Sequence, residues 1–344
     1  MTYRYRIAPV VLCLFAVTVF APTALAQTDR LFPTDGDMVL GKIKSVSKSG
    51  VVLTVSGKDQ TFPAGTITKI LFQGDPTALT EGRESALDGQ FDQALEELRT
   101  LKIDDLPRDV IKADAQFYIV LSQAKQALAG RGDLASAAKS ALNFARSQSN
   151  SWRFFDVAKL LGDLAAAAGN ADQALKYYGS LRSAPSPEMK IQSVYETSMV
   201  QLSKGDIETA QKQLQQIVGL KVTSAESVRL KNLAKAGLAV ALARGDKQGE
   251  SNQLINEMIE TLNPADTVVA ARIYNAQGAA MEAAGDDEGA ILAYLHTHLM
   301  FSSDAESHVL ALRRLADLWT RVGKPDRAAQ ARGELQQRYP GLSG

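Results

Sequence analysis

From residue 76 onward a glycine recurs between two amphipathic stretches, at Gly89, Gly132, Gly169, Gly205, Gly245, Gly285 and Gly323. The intervals are 43, 37, 36, 40, 40 and 38 residues. Internal periods of this size mark stacked supersecondary units rather than one closed core. Each glycine suits the left-handed position that ends a helix, and Asn170, Asp206, Asp246 and Asp286 follow as residues able to cap the next one. The unit is therefore a helical hairpin. One hairpin cannot bury its own apolar stripe, so about six or seven are expected to stack into an extended array.

Spacing within the unit says how its two helices, A then B, should meet. Five residues after most of the glycines stands an alanine: Ala94, Ala137, Ala174, Ala210, Ala290 and Ala328. A small side chain there lets helix B approach helix A closely, and Glu250 at the equivalent place marks the weakest unit. Four residues further on come Leu98, Ala141, Tyr178, Leu214, Leu254 and Tyr294, which return to the same helical face. Hydrophobic residues make up 45% of the chain and aromatics only 6%, a balance that suits close helix-on-helix packing and excludes a disordered chain.

These residues resemble the tetratricopeptide repeat family. The clearest unit runs Leu160-Leu161-Gly162, then Gly169-Asn170-Ala171-Asp172-Gln173-Ala174-Leu175-Lys176-Tyr177-Tyr178, and closes at Pro187. A second has Tyr274, Gly278, Gly285, Ala290 and Tyr294, and a third ends with Ala328, Leu335, Tyr339 and Pro340. The units are longer than the family's 34 residues or so, and its early Trp is absent. The resemblance covers residues 76 to 340 and implies a mainly α fold, a right-handed α-α superhelix of TPR-like hairpins. A β module ahead of such repeats also looks like the layout of a group of exported bacterial proteins.

Residues 35 to 73 have a different texture. Val39-Gly41-Ile43 and Val51-Leu53-Val55 alternate with period two, Ser56-Gly57-Lys58-Asp59 forms a turn into Gln60-Thr61-Phe62, and Thr66 to Phe72 is β-branched and apolar after Pro63-Ala64-Gly65. This predicts a three- or four-stranded antiparallel module. Under 40 residues it can hardly be stable alone, so it should dock onto the first helices or pair with another chain. The expected organisation is a signal peptide over 1–26, the β module over 27–75 and helical hairpins over 76–344.

The leader is read from Arg4 and Arg6, the apolar run Val10 to Phe20 and the small-x-small site Ala24-Leu25-Ala26. The mature chain should start at Gln27, exported to the periplasm or beyond, with no membrane span once the leader is cleaved. Cys13, the chain's one cysteine, lies inside that leader, so disulfides and thiolate chemistry are excluded from the mature protein. Without Arg4 and Arg6 the 38 basic residues become 36 against 38 acidic ones. A net charge of −2 offers no general attraction to nucleic acid or anionic lipid.

No catalytic motif stands out. His296 and His298 are two apart and diverge by about 200° on a helix, so they cannot share a metal. Asp286-Asp287-Glu288 opens a predicted helix, where carboxylates favour the exposed N–H groups. Glu96-Glu97 and Asp104-Asp105 read as solvated acidic pairs. No phosphate loop, zinc-protease helix, nucleophile elbow or dinucleotide fingerprint occurs. The expectation is a non-enzymatic chain without cofactor or metal.

What remains is a surface. In the family the A helices line a concave groove, and the corresponding positions here are Asp156, Lys159, Asp163, Gln192, Tyr195, Met199, Asn232, Lys235, Arg272, Asn275, Arg313, Asp317 and Arg321. Tyr195, Asn232, Lys235, Arg272, Asn275, Arg313 and Arg321 are the candidate binding residues. The C-terminal half is net basic even with Glu282 and Asp317 diluting it, so a protein or peptide partner with an acidic segment is expected. The function read from the sequence is a protein-binding scaffold or assembly factor of the bacterial envelope. Its rival is a structural spacer that self-associates through the β module.

Overall fold

The computed structural model describes residues 28–342; the leader and Cys13 lie outside them. Seven antiparallel helical hairpins follow a five-stranded sheet among the described residues. The A helices are α1 (Thr77–Leu87), α3 (Asp109–Leu128), α5 (Phe154–Ala167), α7 (Pro187–Ser203), α9 (Ala225–Arg244), α11 (Thr267–Ala283) and α13 (Ala305–Arg321). Their B partners are α2 (Phe91–Arg99), α4 (Leu134–Ser147), α6 (Ala171–Ser180), α8 (Ile207–Val218), α10 (Gln248–Glu260), α12 (Asp287–Met300) and α14 (Pro325–Arg338). The mainly α, TPR-like superhelix expected from the repeats is the fold.

In the first, third and sixth hairpins the large B residue enters a gap left by a glycine on helix A. A Cβ on Gly82 would lie 2.6 Å from Leu98, and one on Gly278 would lie 2.7 Å from the Tyr294 ring. Gly162 and Tyr178 meet in the same way. The alanines one turn earlier on B are sealed completely: Ala94, Ala174, Ala210, Ala290 and Ala328 have no exposed surface.

Two turns depart from the expected register. In the second hairpin the left-handed residue is Gly130, not Gly132, which makes the turn two residues longer while still delivering Asp133 as N-cap of α4. In the fifth, Gly245 keeps a negative φ and Asp246 takes the left-handed position with φ of 60°. Helix α10 therefore starts one residue later. Ser251, fully buried and donating its hydroxyl to Ala239 O at 2.8 Å, fills the small-residue position, and Ile255 replaces Leu254 as the buried knob. Glu250 is exposed and marks no weakness.

The sheet has five strands, one more than the pattern predicts at most: β1 (Asp29–Pro33), β2 (Val39–Ser47), β3 (Gly50–Val55), β4 (Lys58–Pro63) and β5 (Ile67–Leu71), all antiparallel in the order β4-β3-β2-β1-β5. The unexpected β1 is the strand that joins β5 to the meander. Its Asp29 points inward, where an alternation pattern expects an apolar residue, and is neutralised by Arg108 at 2.6 Å while accepting from Ile43 N and Gln73 N. Ser56 and Gly57, both at positive φ, close the β3–β4 hairpin.

The sheet lies on the amino-terminal ends of α3, α5 and α7 and shares one apolar core with the first hairpins: Leu31, Leu53, Ile67 and Ile70 pack in the same cluster as Leu79, Ile111, Tyr118 and Phe155. Two arginines fasten it. Arg83 of α1, fully buried, bonds Asp114 of α3 at 3.0 Å and Asp75 at 2.9 Å. Arg153 donates to Thr68 O of β5 and to the Tyr118 hydroxyl, both at 2.8 Å, and stacks over Trp152 and Phe117. At the other end the array curls back on itself. Gly341 N donates to Gly130 O at 3.1 Å, and Tyr339 packs where a Cβ on Gly130 would sit.

Replacing Ala174 or Ala290 with Leu should cost about 1–3 kcal/mol each, because neither site has room for a larger side chain. The fifth hairpin separates the two registers. Ser251→Leu should destabilise to the same degree, whereas Glu250→Leu should stay within about 0.5 kcal/mol of the parent in denaturant titration.

Candidate functional site

The residues expected to line the groove all stand on A helices and are in very different states. Tyr195 of α7 and Asn275 of α11 are about 5% and 4% exposed and serve packing; Asn275 Nδ2 donates to Ser307 O at 2.9 Å, holding α13 against α11. Met199 fills the space over Gly237 of α9. Asn232 and Lys235 of α9 are half-buried, and Lys235 makes no ion pair among the described residues. Arg313 is exposed and donates to Leu342 O.

The basic stretch is largely neutralised from within. Arg272 pairs with Glu306 at 2.6 Å, and Arg321 pairs with Asp287 at 2.8 Å and Glu282 at 3.2 Å. Glu282 also accepts from Arg314 Nε at 2.9 Å and the Tyr294 hydroxyl at 2.8 Å. Burial opposes the charge of Glu282, but these donors outweigh it and hold its carboxyl below the usual glutamate range. Asp317, mostly exposed, adds a longer contact to Arg314 at 3.7 Å.

Further round, Lys159 of α5 bridges Asp163 at 2.8 Å and Glu196 of α7 at 3.4 Å. Burial disfavours the Lys159 ammonium, yet the two carboxylates raise it above the usual lysine range. Burial also raises the Glu196 carboxyl; Asp163 is instead held low because Lys159 and Lys125 outweigh burial there. Asp304 and Glu306 at the start of α13 act electrostatically on Lys125 of α3, and Glu306 on Lys159. Charges from the two ends of the array thus face one another across the inner space.

A cleft of about 870 Å³ opens between the sheet and the starts of α5, α7 and α9. Its walls include Asp156 and Gln192 from the expected groove, and also Phe62, Ile67 and Met189. Five carboxylates, Asp35, Asp37, Asp156, Glu188 and Glu226, face one cation, Arg153. Burial raises the Asp156 carboxyl even though Arg153 lies 3.3 Å away. Glu188 is held in place by the Ser224 and Ser227 hydroxyls at 2.8 and 3.3 Å. Sequence reasoning missed this cleft because half of it belongs to the sheet.

The histidines separate as helical geometry requires. His296 bonds back to Leu292 O at 2.9 Å and stacks on Tyr274, whereas His298 turns to His308. Burial, with Arg338 and His298 nearby, pushes the His308 imidazole down to about 4. Among the described residues His298, His308 and Glu334 are the group whose ligand atoms could close on a metal ion, all within 4.8 Å of one another. Helix spacing could not reveal them, since they come from α12, α13 and α14.

No protein-family model matches the sequence, and no curated protein does. Solved structures do share the fold. A tetratricopeptide repeat protein from Parabacteroides merdae superposes with a TM-score of 0.52 at 15% identity, covering 76% of this chain and 94% of that one. The structure of Naa15/Naa10 bound to HypK-THB covers 77% of this chain and 38% of its own at 14% identity, with a TM-score of 0.32, too low to bear on function. The chain is therefore similar to a tetratricopeptide repeat protein in fold.

Glu282→Gln tests the inner ion cluster. It should destabilise by about 1.5–3 kcal/mol at neutral pH, the range for hydrogen bonds to a charged group. Because the native carboxyl is held below its ordinary value of 4.5, the wild-type advantage is complete above that value and is lost as pH falls through the lower native one. Melting curves of the two proteins should converge in acid.

Proposed function

We propose that the chain is a non-enzymatic scaffold of the bacterial envelope that holds a segment of a partner protein against the inner face of its superhelix, with the sheet as one wall. The cleft between the sheet and α5, α7 and α9 carries this reading. Its volume of about 870 Å³ lies in the range of sites that enclose a ligand, and it combines apolar walls with aimed polar groups. The acidic partner expected from the groove cations finds Arg272 and Arg321 already paired with Glu306, Glu282 and Asp287. The cleft's carboxylates favour a basic or amide-rich segment instead. The export reading rests on the leader, and mature protein recovered from the periplasm or medium should begin at Gln27 by N-terminal sequencing.

Capture from envelope extract with residues 27–344 as bait supplies the partner, and two sets of charge-reversal variants then locate its site. Asp35→Lys with Asp37→Lys and Glu226→Lys should weaken binding by more than about tenfold, or about 1.4 kcal/mol, with an unchanged melting curve. Lys235→Glu with Arg313→Glu should leave it unchanged, as should reversal of Lys176 and Arg182 on α6 and the turn after it. A loss from the Lys235 and Arg313 pair alone would restore the acidic partner. Self-association through the sheet would show as a concentration-dependent mass in light scattering of the intact chain. Deleting residues 27–75 is the wrong test for it, since the deletion uncovers the core of the first hairpins.

A further inference from the structure

The last two hairpins bring together three groups that no reading of the inner face uses. His298 stands in the last turn of α12, His308 in the first turn of α13 and Glu334 near the end of α14. His298 Nδ1 lies 2.8 Å from His308 Nε2, and His298 Nε2 lies 3.6 Å from a Glu334 oxygen. His308 is fully buried, and its other nitrogen, Nδ1, is 2.7 Å from the Tyr339 hydroxyl. We propose that His298, His308 and Glu334 form a binding site for a borderline divalent cation, for which zinc is the best match.

The donor set decides the class of ion. Two imidazole nitrogens and one carboxylate oxygen suit zinc and similar transition ions, whereas magnesium and calcium prefer oxygen alone. With Tyr339 accepting the Nδ1 proton of His308, Nε2 presents a lone pair towards His298. The 2.8 Å gap between the two imidazoles then holds one proton, on His298 Nδ1, when no ion is bound; an ion that takes its place leaves His298 neutral by a tautomer change, the proton passing through solvent to Nε2, which lies 3.6 Å from a Glu334 oxygen. One donor atom from each residue lies within 4.8 Å of the others. A tetrahedral ion with bonds of about 2.1 Å asks for about 3.4 Å between donors. The adjustment falls on the Glu334 carboxylate and the His298 ring, both at the half-buried rim, while His308 stays fixed.

Tyr339 is the outer partner that fixes the tautomer of a ligating histidine. Helix α14 buries Ala328, Ala331 and Leu335, and an ion would join it further to α12 and α13. Three protein donors leave one position for water.

The test uses the mature chain carrying no polyhistidine tag, stripped with a chelator and titrated calorimetrically with zinc chloride near neutral pH. One zinc per chain is expected, with a rise in melting temperature that equimolar magnesium does not produce. His298→Ala and Glu334→Gln should each weaken binding by at least about tenfold and remove the thermal gain. Tyr339→Phe should weaken it by about tenfold while keeping the ligands, and His296→Ala, on the same helix but stacked on Tyr274, should change nothing. His308 is left intact because its burial ties it to folding. The proposal is overturned by no binding at about 100 µM zinc, where even a site of that Kd would be half filled. Undiminished binding in His298→Ala, or an equal loss in His296→Ala, overturns it as well.

Discussion

A bulky B-helix side chain comes closest to its partner A helix where that helix carries no Cβ. Tyr178 over Gly162, Tyr294 over Gly278 and Leu98 over Gly82 bring the two backbones close, and the fully buried alanine one turn earlier keeps them close. Everything larger inherits this distance. If the crossing were wider the hairpins would stack less tightly, the array would curve less, and the segment after α14 would not return to Gly130. Where the glycine is missing, as at Ala239, the fifth hairpin compensates with Ser251, whose hydroxyl satisfies Ala239 O instead of merely leaving room.

The sheet depends on a different and costlier interaction. Arg83 is removed from water entirely and faces two carboxylates, with Asp75 Oδ1, Asp114 Oδ1 and Arg83 Nη1 left without partners. Buried ion pairs of this kind contribute little net stability, yet losing one partner strands the others at a cost of about 3–5 kcal/mol. Their value here is positional. Asp75 ends the sheet segment, Arg83 belongs to the first hairpin and Asp114 to the second, so the cluster fixes how the sheet meets the repeats. Arg153 does the same one hairpin further on, and it also lines the cleft.

The inner face shows why charge counted along helices is a poor guide to a binding surface. Arg272, Arg321 and Lys159 each find a carboxylate on a neighbouring or facing helix, so little uncompensated positive charge is left to a ligand. The cleft is the opposite case. Its acids come from the β1–β2 connection and the starts of three A helices, segments that are far apart in sequence and unremarkable singly.

The sequence by itself determined the hairpin, its period and its small-residue contacts, because these are local: a left-handed residue, an N-cap and an alanine at fixed spacing act within about 15 residues. It also determined the meander β2–β4, whose alternation is equally local. It did not determine that Asp246 would replace Gly245 in the turn, since the choice depends on how α10 fits α9. Nor did it disclose β1, whose inward Asp29 is tolerable only because Arg108 lies beside it. The curvature of the array, the docking of the sheet, the internal pairing of the groove cations and the meeting of His298, His308 and Glu334 were decided by tertiary structure alone. Each is a sum of small angles or a contact between distant segments, and no periodicity in one chain carries that information.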